Sequence, residues 1–435
     1  MAATDCKNRR IVVTGIGAVT PLGNSAAENW ENMKAAKSGI AAISLFDASD
    51  FPTRIAGEVK NFDFGAAVRD NPRLSEAGRG TFFAFRAAQE AVRDSGLKEG
   101  AYDSRRFGLY FGAADSGFDF NAFAQTMTDS FVPGTPEIHP GEYITAAVRN
   151  MSAVAELEAQ PFMTLSHLAS WFRLRGPVCN SLTACAASSQ AIGEAFEWIR
   201  RGDADIMMTG GSHSMVYPLG IAGFSLLTAL STRNDDPARA SRPFDKNRDG
   251  FVLAEGACVL IVEELSHAVK RGARIYGEIV GYGATSDAYR MTDMDPEGAG
   301  ACRAVEIAMK KAGLTPEGVD YVNAHGTATQ INDAIETLVI KKALGERAYK
   351  IPVSSIKSMV GHMIAGAGAL ELAACLFSIR DSVVPPTINY ETPDPKCDLD
   401  YVPNEARAHR VRAALSNSFG FGGQNICLAV KHYEI

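Results

Sequence analysis

One cysteine and two histidines, far apart in the chain, have side chains that could do chemistry together. Cys185 stands in SLTACAASSQAIGEA, His325 in YVNAHGTATQIND and His362 in SSIKSMVGHMIAGAGALE. Each follows an apolar, strand-like run and precedes small residues and a helix-like stretch. Such a turn lifts a side chain to the end of a sheet, where a substrate can reach it. One thiol and two imidazoles suit carbon–carbon bond formation from thioesters.

The neighbours of these residues sharpen the reading and leave alternatives open. Ala184, Ala186, Ala187 and Ser188 let a substrate approach the backbone beside Cys185. A following helix would aim its first amides at the sulfur, favouring thiolate and offering an oxyanion site. Taken alone, the residue reads equally as a core thiol in an Ala-rich helix. His325 precedes Gly326-Thr327-Ala328-Thr329, whose hydroxyls suit a polar ligand. Asp333 is placed to support a ring or to cap the next helix, and a lone histidine here also reads as a core residue. Lys357 precedes His362 by five residues and suits a carboxylate or a hydrogen-bond network; Glu371 could anchor it. Their plain alternatives are a surface lysine and an ordinary helical glutamate. Near the C-terminus, Phe419, Gly420, Phe421, Gly422 and Gly423 read as a mobile gate or as a glycine-rich hairpin with core phenylalanines.

Composition removes several function classes. The chain has 435 residues, 46% of them apolar, enough for a large core and two or three domain-sized units. Lys plus Arg is 43 and Asp plus Glu 50, giving a net charge of −7, which does not suit nucleic acid or an anionic membrane as the main partner. No stretch approaches the roughly 20 apolar residues of a membrane span, and the N-terminus lacks a signal-peptide core. A cytoplasmic protein is expected. The eight cysteines are scattered without a CxxC pair, so neither a metal site nor a disulfide framework is expected. GIGAVT at residues 15–20 begins like a dinucleotide fingerprint, but Thr20 occupies the third glycine's place.

Strand-like runs at residues 10–14, 107–111, 206–209, 258–262, 321–324 and 353–356 alternate with helix-like runs at 190–201, 300–312 and 333–344. That alternation predicts an α/β protein with buried sheets. A faint repeat relates the Cys185 turn to the His362 turn, and IVVTGIGAVT to EIVGYGATS. It divides the chain near residues 264–276. Residues 118–169 fit no simple pattern and read as a lid over the site or as a surface excursion packed on the body.

Together these motifs resemble the elongating β-ketoacyl-acyl-carrier-protein synthases of type II fatty-acid synthesis and the related type II polyketide ketosynthases, within the thiolase superfamily. The likeness runs from RRIVVTGIGAVTPLG to NSFGFGGQN. It rests on TAC, NAHGT, KSMVGH and SFGFGG in that order, and on RPFDKNRDGFVLAEGA at residues 242–257. It implies an α/β thiolase fold, with duplicated βαβαβαββ halves in a five-layered αβαβα core. Residues 1–265 would form the half carrying Cys185, with cap insertions at about 113–170. Residues 266–435 would carry His325, Lys357, His362 and the gate loop. The resemblance also implies decarboxylative condensation of an acyl-Cys185 thioester with a malonyl-acyl carrier protein. His325 and His362 would bind the malonyl thioester carbonyl, and Lys357 with Glu371 would order the network. The N–H groups of Cys185 and Phe421 would form the oxyanion hole, with Phe421 as gate. Thr327 and Thr329 match contacts to the pantetheine arm, and Asp115 and Phe419 match the acyl pocket. No cofactor is implied beyond the carrier's phosphopantetheine. A homodimer is expected, or a heterodimer with a related subunit.

His362 separates this pattern from the Cys-His-Asn of chain-initiating relatives and the Cys-His-Cys of thiolases, and Cys185 separates it from non-catalytic partner subunits. A thiolytic enzyme would need a second catalytic cysteine, for which Cys375 and Cys427 are the candidates. Three features depart from the family pattern: a longer stretch between Asn150 and Cys185, Asp115 near an apolar pocket wall, and few basic residues where an acidic carrier would dock. In LSEAGRGTFFAF at residues 74–85, a segment usually basic in the family, Arg79 alone remains, and Thr228 stands where a basic residue is common.

Overall fold

A computed structural model describes residues 9–98, 100–114 and 119–434. Among them ten strands form one curled sheet: β1 (Ile11–Val19), β2 (Phe107–Ala113), β3 (Val178–Ser181), β4 (Ile206–His213), β5 (Gly256–Glu264), β6 (Gly277–Ser286), β7 (Tyr321–Asn323), β8 (Val353–Ser354), β9 (Ala413–Gly420) and β10 (Gln424–Lys431). Their order across the sheet is β8-β7-β9-β10-β6-β1-β5-β4-β2-β3. The list reads alike from both ends. β1 to β5 and β6 to β10 repeat one arrangement, each with a parallel trio and an antiparallel pair. The halves meet where Ile11, Val12 and Val13 run opposite Ile279, Glu278 and Gly277.

The principal helices are α1 (Arg79–Ser95), α2 (Phe120–Ser130), α3 (Pro140–Asn150), α4 (Ala153–Glu158), α5 (Pro161–Phe172), α6 (Ala187–Arg201), α7 (Ala299–Ala312), α8 (Gln330–Leu344) and α9 (Ala367–Asp381). With β1, α1, β2, α5, β3, α6, β4 and β5 in succession, the first half is βαβαβαββ. The second half repeats it with α7, α8 and α9. α1 covers β1 and β5 on one outer face, α7 covers β6 and β10 on the other, and α6 and α9 lie between the two half-sheets. That stacking is αβαβα. α9 is buried along almost its whole length, because a central helix meets a sheet on either side.

Glycines set the closeness of the outer layers. A Cβ on Gly15 or Gly17 of β1 would run into the Ala91 or Ala87 carbonyl of α1. A Cβ on Gly281 or Gly283 of β6 would strike the Ala308 or Ala304 carbonyl of α7. The GIG of residues 15–17 is thus a packing motif, and its counterpart in β6 is the resemblance seen in EIVGYGATS.

Within residues 119–169 the chain forms helices. α2 and α3 lie side by side, with Asp129 accepting from Arg149 (2.6 Å) and Asn150 (2.9 Å). α5 packs on α1 through Thr81 and Thr164 (2.8 Å) and through Phe85 against Trp171. Leu165 and Leu168 join the core around Phe83 and Ala84, which pulls α5 onto the body. None of these helices lines the cavity at Cys185. Among the described residues no helix is long and apolar enough to cross a membrane.

Candidate active site

Cys185 sits at the turn between β3 and α6. Residues Ala184–Ala186 make one 3-10 turn before α6 begins, and Ala184 takes φ 46° to reverse the chain. The same device recurs in the second half: Ile364–Gly366 is a 3-10 turn with Ile364 at φ 41°, leading into α9. The sulfur is buried among Phe251, Leu253, Ile364 and other apolar side chains. The N–H groups of Phe421 and of Cys185 itself point at it. Burial nevertheless pushes the thiol up to about 11, against the downward pull of Lys357 and those two amides. The thiolate expected at a helix start is therefore not the resting form, because desolvation outweighs the amides.

His325 follows β7, and His362 follows the short helix Lys357–Val360 that leaves β8. Both are buried, and their rings meet edge to face with centroids 5.4 Å apart. The Cys185 sulfur and a ring nitrogen of each histidine all lie within 4.8 Å of one another. His362 is held by its backbone: its N–H donates to Val252 O (2.7 Å), and its carbonyl accepts from Ala254 N (3.0 Å). The Ile364 N–H donates to His362 Nδ1 (3.2 Å), so the ring proton resides on Nε2. That Nε2 is buried and has no partner among the described residues. At His325 the Lys357 ammonium faces Nδ1 (3.3 Å), which likewise leaves the proton on Nε2. Both rings titrate well below the ordinary imidazole range. Burial is the main cause, followed by the nearby Lys357 charge. They stay neutral at physiological pH.

Lys357 and Glu371 are buried and paired, and the ammonium also donates to the His325 carbonyl (2.7 Å). This is the network reading; neither is a surface residue. Glu371 is pushed upward by burial, against the pull of Lys357. Asp333 touches neither ring, and the cap of α8 is Thr329, which accepts from Asn332 N. Asp333 instead accepts from Phe244 N (2.7 Å) and Ala328 N (3.2 Å), with Arg248 at 3.7 Å, and so fixes the turn after His325. Glu336, one turn further along α8, is a residue that sequence reading missed. Its two oxygens accept from His325 N and Gly326 N, each at 2.8 Å. Burial pushes it up to about 7. Its only trace in the sequence is an acid near Asp333, which carries no periodic signal.

A cavity of about 250 Å³ leads from the surface to Cys185, His325 and His362. Thr327 and Thr329, bonded to each other at 3.0 Å, line it, as do Phe419 and Phe421. Phe419 stands edge-on to His325, with centroids 6.0 Å apart. The glycine-rich segment is the turn of the β9–β10 hairpin, and it packs against the Cys185 turn. Cys375 and Cys427 are buried in α9 and β10 and do not line this cavity. Asp115 lies outside the described residues.

Residues 8–268 match the profile of the β-ketoacyl synthase N-terminal domain and residues 276–391 that of its C-terminal domain. The 3-oxoacyl-[acyl-carrier-protein] synthase 2 of Synechocystis sp. is 45% identical over 98% of this chain and 99% of its own length. The protein of the same name from Coxiella burnetii is 44% identical over 96% and 97%. Among solved structures, a type II PKS acyl-carrier protein in complex with its ketosynthase bound to the hexaketide matches with TM-score 0.87 and 36% identity, over 98% of this chain and 100% of that one. A β-ketoacyl synthase from Burkholderia phymatum matches with TM-score 0.87 and 34% identity, over the same shares. The fold is the thiolase fold of these ketosynthases, and the chain belongs to the β-ketoacyl synthase family.

Proposed function

We propose that this protein lengthens an acyl chain by decarboxylative Claisen condensation, with both substrates delivered on the phosphopantetheine arm of an acyl carrier protein. Cys185 Sγ attacks the carrier thioester; the carrier sulfur leaves with the thiol proton, and the acyl group stays on the enzyme. A malonyl thioester then places its carbonyl oxygen between His325 Nε2–H and His362 Nε2–H. The C–C bond to the carboxylate breaks, carbon dioxide leaves, and the two neutral donors hold the enolate oxygen. The carbanion attacks the acyl-Cys185 carbonyl. The N–H groups of Cys185 and Phe421 hold the resulting oxyanion, and expulsion of the Cys185 thiolate yields the 3-oxoacyl carrier.

The observation that carries this reading is the paired tautomer. Each Nδ1 faces a donor, which places each ring proton on Nε2; both rings line the cavity that holds the thiol, and His362 Nε2 is buried there without a partner among the described residues. The relatives named 3-oxoacyl-[acyl-carrier-protein] synthase 2 and the carrier-bound ketosynthase support the substrate class. The reading includes no cofactor of the protein's own, a cytoplasmic setting and a homodimer. For the dimer, β3 is a sheet edge unpaired among the described residues, with Val178 on it and Leu182 just beyond it exposed. The test is mass spectrometry of the Cys185 peptide after exposure to acyl carriers, together with carbon dioxide release from malonyl carrier. An acylated Cys185 and a 3-oxoacyl product are expected. A thiol that stays free while a second subunit turns over would overturn the reading in favour of a non-catalytic partner.

A further inference from the structure

We propose that the mouth of the Cys185 cavity docks a carrier protein whose contact helix is apolar and near-neutral, not polyanionic. This rests on the condensing-enzyme reading and adds the chemistry of its partner. Leu227 and Ile331 line the cavity and are 47% and 49% exposed. Leu226 and Met291, chain neighbours of the lining residues Leu227 and Thr292, are 84% and 85% exposed. Large apolar side chains so exposed around an entrance mark an interaction site. The charges there have the wrong sign for an acidic partner. Among the described residues no Lys or Arg lines the cavity, whereas Asp249, Asp287 and Asp293 do. The flanking cations are already engaged, Arg233 with Asp249 (3.6 Å) and Arg290 with Asp293 (3.0 Å). Asp287 accepts from two amides, Asn425 Nδ2 (2.6 Å) and Asp295 N (3.3 Å), and is in no ion pair among the described residues. A helix dense in Glu and Asp would meet this rim at a Coulombic cost, while an apolar helix would bury the leucines and the methionine.

Ionic strength separates the two kinds of docking, because screening removes charge attraction and leaves apolar contact. The probes are a malonyl-loaded carrier with an acid-rich helix after its serine and the same carrier with those acids replaced by Gln and Ala. Carrier-free malonyl-N-acetylcysteamine serves as control. The neutralised carrier should give the higher kcat/KM, changing less than about two-fold between low and about 0.5 M salt. Leu226→Asp and Met291→Asp should each lower kcat/KM for that carrier about ten-fold or more while leaving the carrier-free rate unchanged. Preference for the acidic carrier, with kcat/KM falling ten-fold or more in salt, overturns the docking face and leaves the condensing reading standing. So does indifference of the carrier reaction to both variants. If the wild-type protein neither decarboxylates the carrier-free thioester nor becomes acylated at Cys185, the condensing reading falls and the docking face falls with it.

Discussion

A proton on Nδ1 of either histidine would have to displace a donor already there, the Ile364 amide at His362 or the Lys357 ammonium at His325. Protonation would also place a cation in a buried site beside that ammonium, which is why both rings titrate so low. Decarboxylation is therefore expected to stay flat from about pH 8 to about pH 6, as measured by carbon dioxide release; a bell centred near 6.5 would contradict the tautomers. His325→Ala or His362→Ala removes one of two donors to the enolate and should slow decarboxylation by about 10²–10³. Acyl transfer to Cys185 should survive in both, read as the mass of the modified peptide. Cys185→Gln should keep carbon dioxide release and end condensation. The thiol itself, pushed up to about 11, predicts a rate of alkylation by iodoacetamide that climbs about ten-fold per pH unit from 6 to 9 without a plateau. A plateau near neutrality would mean that the amides of Phe421 and Cys185 prevail over burial.

At the scale of elements, the two halves bring the site together by repeating one turn. A 3-10 turn with a left-handed residue at Ala184 or Ile364 opens α6 or α9, and the two helices pack on one another between the half-sheets. The closeness of the layers depends on bare backbone in β1 and β6. Gly17→Ala would drive a methyl group into the Ala87 carbonyl, where neither β1 nor α1 can move freely, and should cost about 3 kcal/mol. Gly223→Ala, in the helix Pro218–Leu226 with nothing near the added atom, should be neutral or slightly stabilising. Thermal unfolding of the pair checks this, and equal effects would remove the packing argument. Cys185, His325 and His362 were legible in the sequence because each strand-to-helix turn carries small residues that leave a local signature. The duplication was legible in the glycine pair of β1 and β6. The roles of Asp333 and Glu336 were not, since both depend on which carboxylate of α8 reaches back to the turn of residues 325–328. The 118–169 segment was equally opaque, because short helices packed on a neighbouring helix need no strong periodicity of their own.

Over the whole molecule, buried ionisable groups pull the acid response in opposite directions. His213, His325 and His362 are neutral inside the fold; burial brings His213 down to about 3 and the other two well below 6.5. The unfolded chain takes up these three protons first, so they subtract stability as pH falls below about 6.5. Glu90 and Glu336 run the other way. Burial raises both to about 7 from an ordinary 4.5, so the folded state binds their protons first and gains stability as pH falls from about 7 to 4.5. Asp333 and Glu371, also raised, act in the same sense as these glutamates. Between pH 6.5 and 4.5 the three imidazoles are thus opposed by at least two carboxylates, leaving at most one proton's worth, about 1.4 kcal/mol per pH unit. Below about 4.5 the unfolded glutamates are protonated too, that opposition ends, and the slope should steepen toward about 4 kcal/mol per unit. Denaturant titrations across pH 8 to 3.5 should show a shallow limb followed by a steep one. A steep loss that begins at 6.5 would mean that Glu90 and Glu336 stay ionised in the fold, held by the backbone amides that each accepts.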